Sequence, residues 1–310
     1  MGNDPVVVLL STYNGANYLE SQLNSILAQT HSNTSILVRD DGSSDTTLFI
    51  LKHFEKQYDN VRLMPQDDNK GPKLSFGRLL QEGLSGTKAD YFMFADQDDV
   101  WLPDKIEKTL ARMKQLENTC GRQPLLIHTD LKVVDERQRE LNPSFWNYQK
   151  LNPAKDSFPR LLMQNVITGC TMMINRRLAE VSLPVHPDAI MHDWWIGLAA
   201  SAFGRIGYVT EPTILYRQHG ENSVGAKRFG IAYIKKKLLE PVYLDKNIRQ
   251  ARAFEKQFSE ALPEVSSEYL KEFIKLEKSP FLRGRTALLK NGFLKIGIAR
   301  NLGLFLNWKS

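Results

Sequence analysis

Along the first two hundred residues, short apolar runs alternate with longer stretches whose apolar positions recur every third or fourth residue. Val6–Leu10 is such a run, closed by the turn pair Asn14-Gly15, and Leu19, Leu23, Ile26 and Leu27 follow at helical spacing. Ile36–Val38 predicts a second strand. It runs straight into the polar loop Asp40-Asp41-Gly42-Ser43-Ser44-Asp45, where Ser44 or Asp45 can cap a helix through Phe54 and Tyr58. Val61–Met64 predicts a third strand, Leu74–Leu84 a helix, and Tyr91–Ala95 has the composition of a fully buried strand. Hydrophobic strands alternating with helices imply an α/β fold, a mostly parallel sheet with helices on both faces.

Farther on, Pro103–Glu117 carries Ile106, Leu110, Met113 and Leu116 at amphipathic spacing, and Leu125–Thr129 is another buried run. Leu141–Phe158, rich in Asn, Pro and aromatics, reads as an irregular loop. Asn165–Ile174 reads as a strand entered through Gly169, Ile196–Phe203 as a helix, and Thr213–Gln218 as the last strand. From Lys227 the pattern is helical, with segments at Ile231–Tyr243, Asn247–Leu262, Ser266–Leu276 and Thr286–Trp308. Gly292, Gly297 and Gly303 argue against one long final helix. Two parts are therefore expected, an α/β domain over residues 1–226 and a helical C-terminal appendage over 227–310.

Composition changes this picture in one respect. The net charge of +6 divides unevenly: residues 227–310 hold 18 Lys and Arg against 8 Asp and Glu, and residues 1–226 hold 23 against 27. A basic tail, with the short run Lys235-Lys236-Lys237, suggests contact with an anionic membrane surface; packing on the first domain or on a second subunit, as in a homodimer, is the alternative. Nucleic acid is not the expected partner, because clustered carboxylates repel phosphates. No run approaches the ~18 apolar residues of a membrane span, and no basic residue precedes Val6–Leu10. Cys120 and Cys170 stand at no metal-ligand spacing and read as reduced thiols. The expected location is cytoplasmic, or peripheral at the inner face of the cell membrane.

Candidate chemistry concentrates after Ala95, where Asp96, Asp98 and Asp99 crowd the end of a buried strand. Close carboxylates repel one another unless a cation lies between them, and hard oxygen ligands suit Mg²⁺ or Mn²⁺ carrying a phosphorylated substrate. The plainer alternative is a polar turn in which Asp99 or Asp104 caps the helix opened by Pro103. Ligands of open α/β sheets sit beyond the carboxyl ends of the strands, so Ser11-Thr12-Tyr13-Asn14, Asp40-Asp41 and Asp96-Gln97-Asp98-Asp99 can line one crevice. Neither a Gly-x-Gly-x-x-Gly nor a P-loop pattern is present. Tyr13 would stack on a base and Asp41 accept from base or ribose; packing and turn formation are their structural alternatives. Lys105 reaches a diphosphate or is a solvated helix lysine, and Trp146 and Tyr148 pack on a sugar or anchor their loop. Asp193, at a helix N-terminus, fits an N-cap. Arg217 and His219 can contact a diphosphate, and His219 can complete a metal site.

Ser-Thr-Tyr-Asn-Gly at 11–15, Ser25-Ile26-Leu27-Ala28-Gln29-Thr30, Arg39-Asp40-Asp41-Gly42-Ser43-Ser44-Asp45 and Asp96-Gln97-Asp98-Asp99-x-Trp101 together resemble glycosyltransferase family 2, over the chain up to about Asn222. The resemblance implies the GT-A fold, inversion at the anomeric carbon, a nucleotide-sugar donor, and Mn²⁺ or Mg²⁺. It implies that Ser11, Tyr13 and Asp41 contact the nucleotide. Asp96 and Asp98 match the Asp-x-Asp motif, whose second carboxylate is the direct metal ligand. His192-Asp193 resembles the pair whose Asp is the general base.

The fuller motifs, Ala95–Trp101, Met191–Trp195 and Tyr-Arg-Gln-His-Gly-x-Asn at 216–222, look most like bacterial rhamnosyltransferases of that family. These use dTDP-β-L-rhamnose and lipid-linked saccharide acceptors in surface polysaccharide synthesis. A hexosyltransferase using a UDP-sugar is the alternative. So is a nucleotidyltransferase, although that class should open with a Gly-rich phosphate loop, which Ser11–Asn14 lacks.

Overall fold

A computed structural model of the 310-residue chain describes residues 4–220 and 240–308. The Lys235–Lys237 run, most of the expected Ile231–Tyr243 helix and the boundary at 226/227 lie outside the described residues.

The sheet is built around β1 (Val6–Thr12), which pairs in parallel with β2 (Thr34–Asp40) and β4 (Tyr91–Ala95); β2 also pairs with β3 (Val61–Leu63). Side chains alternate across these strands: Val6, Val8 and Leu10 of β1 join one apolar cluster, Val7 and Leu9 the other. Both faces are buried, which is why the strands read as continuous apolar runs. Helices α1 (Leu19–Leu27), α2 (Thr47–Gln57) and α4 (Lys105–Cys120) cover the first face. The second is covered by α3 (Gly71–Gly86), α6 (Phe158–Met163), α7 (Arg176–Ser182) and α8 (His192–Phe203).

The α/β class and the GT-A arrangement hold, with parallel pairing concentrated in the first half of the sheet. Past β4 it continues through β8 (Met173–Asn175), antiparallel to both β4 and β6 (Leu125–Val134), then through β9 (Arg205–Arg217), parallel to β6. The short β5 (Val100–Trp101) closes on β9 and β7 (Glu140–Asn142) on β6, both antiparallel.

Three local expectations need correction. The apolar run at Asn165–Ile174 is not one strand: a 3-10 turn at Gly169–Thr171 interrupts it, and only Met173–Asn175 pairs. The last strand begins at Arg205 rather than Thr213, because it lies between solvent and core and has no continuous apolar signature. The supposed loop at Leu141–Phe158 contains α5 (Phe145–Gln149), hung from β6 where the Ser144 hydroxyl and the Trp146 N–H donate to Asp130. Asp45 acts at the start of α2, its carboxylate accepting from the Thr47 N–H at 3.0 Å.

The tail forms α9 (Asp245–Phe258), α10 (Glu264–Lys275), α11 (Phe281–Lys290) and α12 (Ile298–Asn307). Gly292 and Gly297, at φ of 68° and 88°, divide the last two, since left-handed backbone ends a helix and only glycine adopts it without strain. The tail shares the core of the second face: Phe254 is buried against Phe158 and Trp195, ring centroids 5.9 and 5.1 Å away. At about 1.5–3 kcal/mol for each large side chain so buried, the tail is a structural part of the described fold. No helix among the described residues is long and apolar enough to cross a membrane.

Candidate active site

Register brings the polar strand ends to one level: Thr12 stands opposite Asp40, and Leu10 opposite Ala95, so Ser11–Asn14, Asp40–Asp41 and Asp96–Asp99 emerge side by side. Gln97, between the two motif aspartates, ties two of these tips together. The Tyr13 N–H donates to its Oε1 at 2.8 Å, and its Nε2 donates to the Tyr13 carbonyl at 3.0 Å. A Cβ on Gly15 would lie 2.2 Å from Gln97 Oε1, so any side chain at residue 15 would displace the Gln97 amide from this clasp. Sequence reasoning passed over Gln97, whose only signal is its place inside Asp-x-Asp.

Asp96 and Asp98 face different neighbours. Asp98 Oδ2 is 2.7 Å from His219 Nε2, and the Arg217 Nε–H donates to the Asp98 carbonyl at 2.8 Å, so the end of β9 wraps the acidic tip. Tyr18 contributes a ring surface to both, its centroid 4.6 Å from that of His219 and 4.9 Å from the Arg217 guanidinium. Burial, then the charges of Asp98 and Asp193, push the Asp96 carboxyl up to about 7. Asp193, nearly a hundred residues away in sequence, reaches this neighbourhood through Gly169–Cys170: a Cβ on Gly169 would lie 3.5 Å from the Asp193 Cβ, and the Cys170 sulfur is within 4.8 Å of an Asp96 carboxylate oxygen.

Asp193 lies in the first turn of α8, two residues past Met191, which occupies the N-cap position, with Oδ1 accepting from the Trp194 N–H at 2.6 Å. Burial pushes its carboxyl up to about 7, against the opposing pull of the Trp194 and Gly169 N–H groups and the Asn165 side chain. His192 precedes it in the same turn. It is buried against Phe76 and Phe94, ring centroids 4.1 and 5.5 Å away, and burial lowers its pKa to about 3, so it is a neutral spacer.

The expected nucleotide contacts are placed unevenly. Tyr13 is 51% exposed. Ser11 Oγ lies 2.6 Å from Ser75 Oγ, which accepts from Arg39 Nη1 at 2.9 Å. Asp41 is buried: its carboxylate pairs with Arg39 and accepts the Lys70 and Gly71 N–H groups at 2.9 and 2.8 Å, holding the start of α3. Arg39 pairs with Asp67 as well. With Arg39 only 1% exposed, Arg39→Met leaves the buried Asp41 carboxylate without its charge partner and should cost about 3–5 kcal/mol in urea unfolding. A loss under 1 kcal/mol would show that this network is dispensable.

Lys105 is neither solvated nor at the cleft. It is fully buried, its ammonium 4.6 Å from the Trp101 ring centroid, and burial lowers its pKa to about 8. Asp99 is buried too, accepting from the Arg217 N–H at 3.3 Å.

Two donor groups share Asp96. Ligand atoms of Asp96, Asp99 and Cys170 lie within 4.8 Å of one another, but burial and the two carboxylates push the Cys170 thiol well up, which keeps it protonated. Hard divalent cations take carboxylate and imidazole in preference to a protonated thiol. Of the expected donors, Asp98 and His219 meet at 2.7 Å, and the charge of Asp98 acts on the neighbouring Asp96 carboxyl, so these three are the candidate donors for Mn²⁺ or Mg²⁺.

A GT-A sheet with an acidic tip at the end of its fourth strand defines an α/β sugar transferase. Residues 7–181 match the model of glycosyl transferase family 2, and the chain belongs to that family. It is 29% identical over 223 residues to the dTDP-rhamnosyl transferase RfbG of Shigella flexneri, covering 70% of this chain and 74% of that protein. It is 31% identical over 204 residues to the putative teichuronic acid biosynthesis glycosyltransferase TuaG of Bacillus subtilis, covering 65% and 75%. Two uncharacterized Rickettsia glycosyltransferases are matched over 49% of their length. In fold it resembles S. aureus TarS 1-349, solved with UDP-GlcNAc, at a TM-score of 0.57 and 15% identity over 97% of this chain and 90% of that one.

Proposed function

We propose that this enzyme transfers L-rhamnose from dTDP-β-L-rhamnose to a saccharide acceptor, with inversion, and that Asp193 is the base. One observation carries the mechanism: Asp193, on a separate helix, lies near enough to the acidic tip for its charge to act on Asp96, which supports a base and a diphosphate-holding group acting at one site. Its raised pKa suits proton uptake near neutrality. In the step, Asp193 accepts the acceptor hydroxyl proton as that oxygen bonds to the anomeric carbon. The bond from that carbon to the diphosphate oxygen breaks, and its electron pair leaves with dTDP.

Asp96, Asp98 and His219 would hold Mn²⁺ or Mg²⁺, which supplies charge neutralisation for a departing diphosphate. Tyr13 and Ser11 are the proposed nucleotide contacts, and Asp41, through Arg39 and Ser75, positions Ser11. A GT-A neighbour from Pyrobaculum calidifontis, a mannosyltransferase solved with GDP-Man and Mn²⁺ at a TM-score of 0.50, supports the use of a cation.

The donor rests on RfbG, whose name specifies dTDP-rhamnose, and the lipid-linked acceptor on the basic tail. A UDP-sugar is the second reading, favoured by the UDP-GlcNAc complex of TarS. Incubation with dTDP-β-L-rhamnose, UDP-glucose or UDP-GlcNAc in Mn²⁺ or Mg²⁺ decides between them. Release of dTDP should outpace release of UDP at least ~10-fold, the discrimination expected from differential transition-state binding. Faster UDP release would overturn the donor assignment and leave the base assignment intact.

A further inference from the structure

The last two helices present large apolar side chains to solvent. Phe281, Leu282 and Leu289 on α11 are 62%, 77% and 62% exposed, and Ile298, Leu302 and Leu306 on α12 are 81%, 48% and 65% exposed. On α12 they recur every fourth residue and form one ridge, while Arg300, Gly303 and Leu304 on the other side are buried. The helices are joined, because Arg285 of α11 donates to the Phe305 carbonyl of α12 at 2.6 Å. Exposed apolar residues aligned in this way mark a contact surface rather than ordinary scatter.

Charge identifies the partner. Residues 279–310 contain six Lys and Arg and no Asp or Glu, and Arg283 and Lys290 are exposed beside the apolar side chains. A two-fold dimer through this face would set it against itself, bringing cations together with no acid from this segment to offset them. An anionic headgroup layer complements both features: aliphatic side chains enter the acyl boundary and basic ones stay among the phosphates.

We propose that the α11–α12 ridge seats this protein on an anionic lipid surface. The seat is linked to the sheet. Buried Arg300 donates to the carbonyls of Gln149 and Lys150 at 2.6 and 3.1 Å, and the Ile296 N–H donates to Gln164 at 2.9 Å. Since α5 hangs from Asp130 on β6, docking fixes the orientation of that side of the sheet to the bilayer. The proposal goes beyond the transfer reaction and is independent of the donor.

Flotation of the full chain tests it, using vesicles of phosphatidylcholine with phosphatidylglycerol and vesicles of phosphatidylcholine alone. Binding should favour the anionic vesicles at least ~10-fold and weaken as salt is raised. The double variant Leu302→Asp, Leu306→Asp should lose at least ~10-fold of that binding, with donor hydrolysis and melting temperature unchanged, because both side chains are exposed. Arg283→Glu with Lys290→Glu should lose the preference for anionic lipid. Failure of the parent chain to bind, or unaltered flotation of the Asp variant, would refute the seat. A dimer in sedimentation that the Asp variant dissociates would assign the ridge to a second copy instead.

Discussion

Asp193→Asn should lower kcat by roughly 10²–10⁴ while leaving donor affinity near that of the parent, because the amide keeps the shape of the carboxylate and cannot take a proton. Turnover at the parental rate would remove Asp193 from the role of base. The parent should show an acidic limb in kcat/KM centred near 7, with activity rising as the carboxyl ionises and level above it. Stability must run in the opposite direction. The folded pKa lies above the ordinary 3.8, so this group's contribution to folding is complete below 3.8 and is lost as pH rises through about 7. At pH 8 the Asn variant, free of that buried charge, should therefore melt above the parent. A variant that lost activity and also melted lower would point to a structural role instead.

Asp98→Asn should abolish the cation dependence of nucleotide binding and not merely slow the reaction. Calorimetry of dTDP with and without Mn²⁺ is the measurement. Parent affinity should rise with the cation, and the variant's affinity should be the same in both. His219→Gln, which removes the imidazole 2.7 Å from the Asp98 carboxylate, should weaken cation affinity by about 10–100-fold. Cys170→Ala separates the two donor groups that share Asp96. It should leave cation affinity unchanged, and a loss comparable to that of Asp98→Asn would move the site beneath the tip, to Asp96, Asp99 and Cys170.

Much of the α/β half is legible from residues alone because its strands are buried on both faces. Tyr91–Ala95 is found at its expected limits, and Leu19–Leu27 begins and ends with the recurring apolar positions that predict it. Legibility fails where burial is one-sided or a turn lies inside an apolar run, as at Arg205–Tyr208 and Gly169–Thr171. Lys105 shows a different limit. Its place on an amphipathic helix predicts solvent, yet the ring of Trp101 and nearby Asp99 hold it in the core.

For the site, local sequence determined the chemistry: an acidic cluster at a strand end, a tyrosine and a serine at another, a carboxylate at a helix start. The action of the Asp193 charge on Asp96, the contact of His219 with Asp98, and the Gln97 clasp on Tyr13 were decided by tertiary structure alone. The reason is physical. Ionisation and hydrogen bonding depend on distances and burial between groups far apart along the chain, and no pattern of neighbouring residues encodes those distances. The basic tail follows the same division, since its charge is written in composition, but the exposure of Ile298, Leu302 and Leu306 depends on which face of α12 the core had room to take.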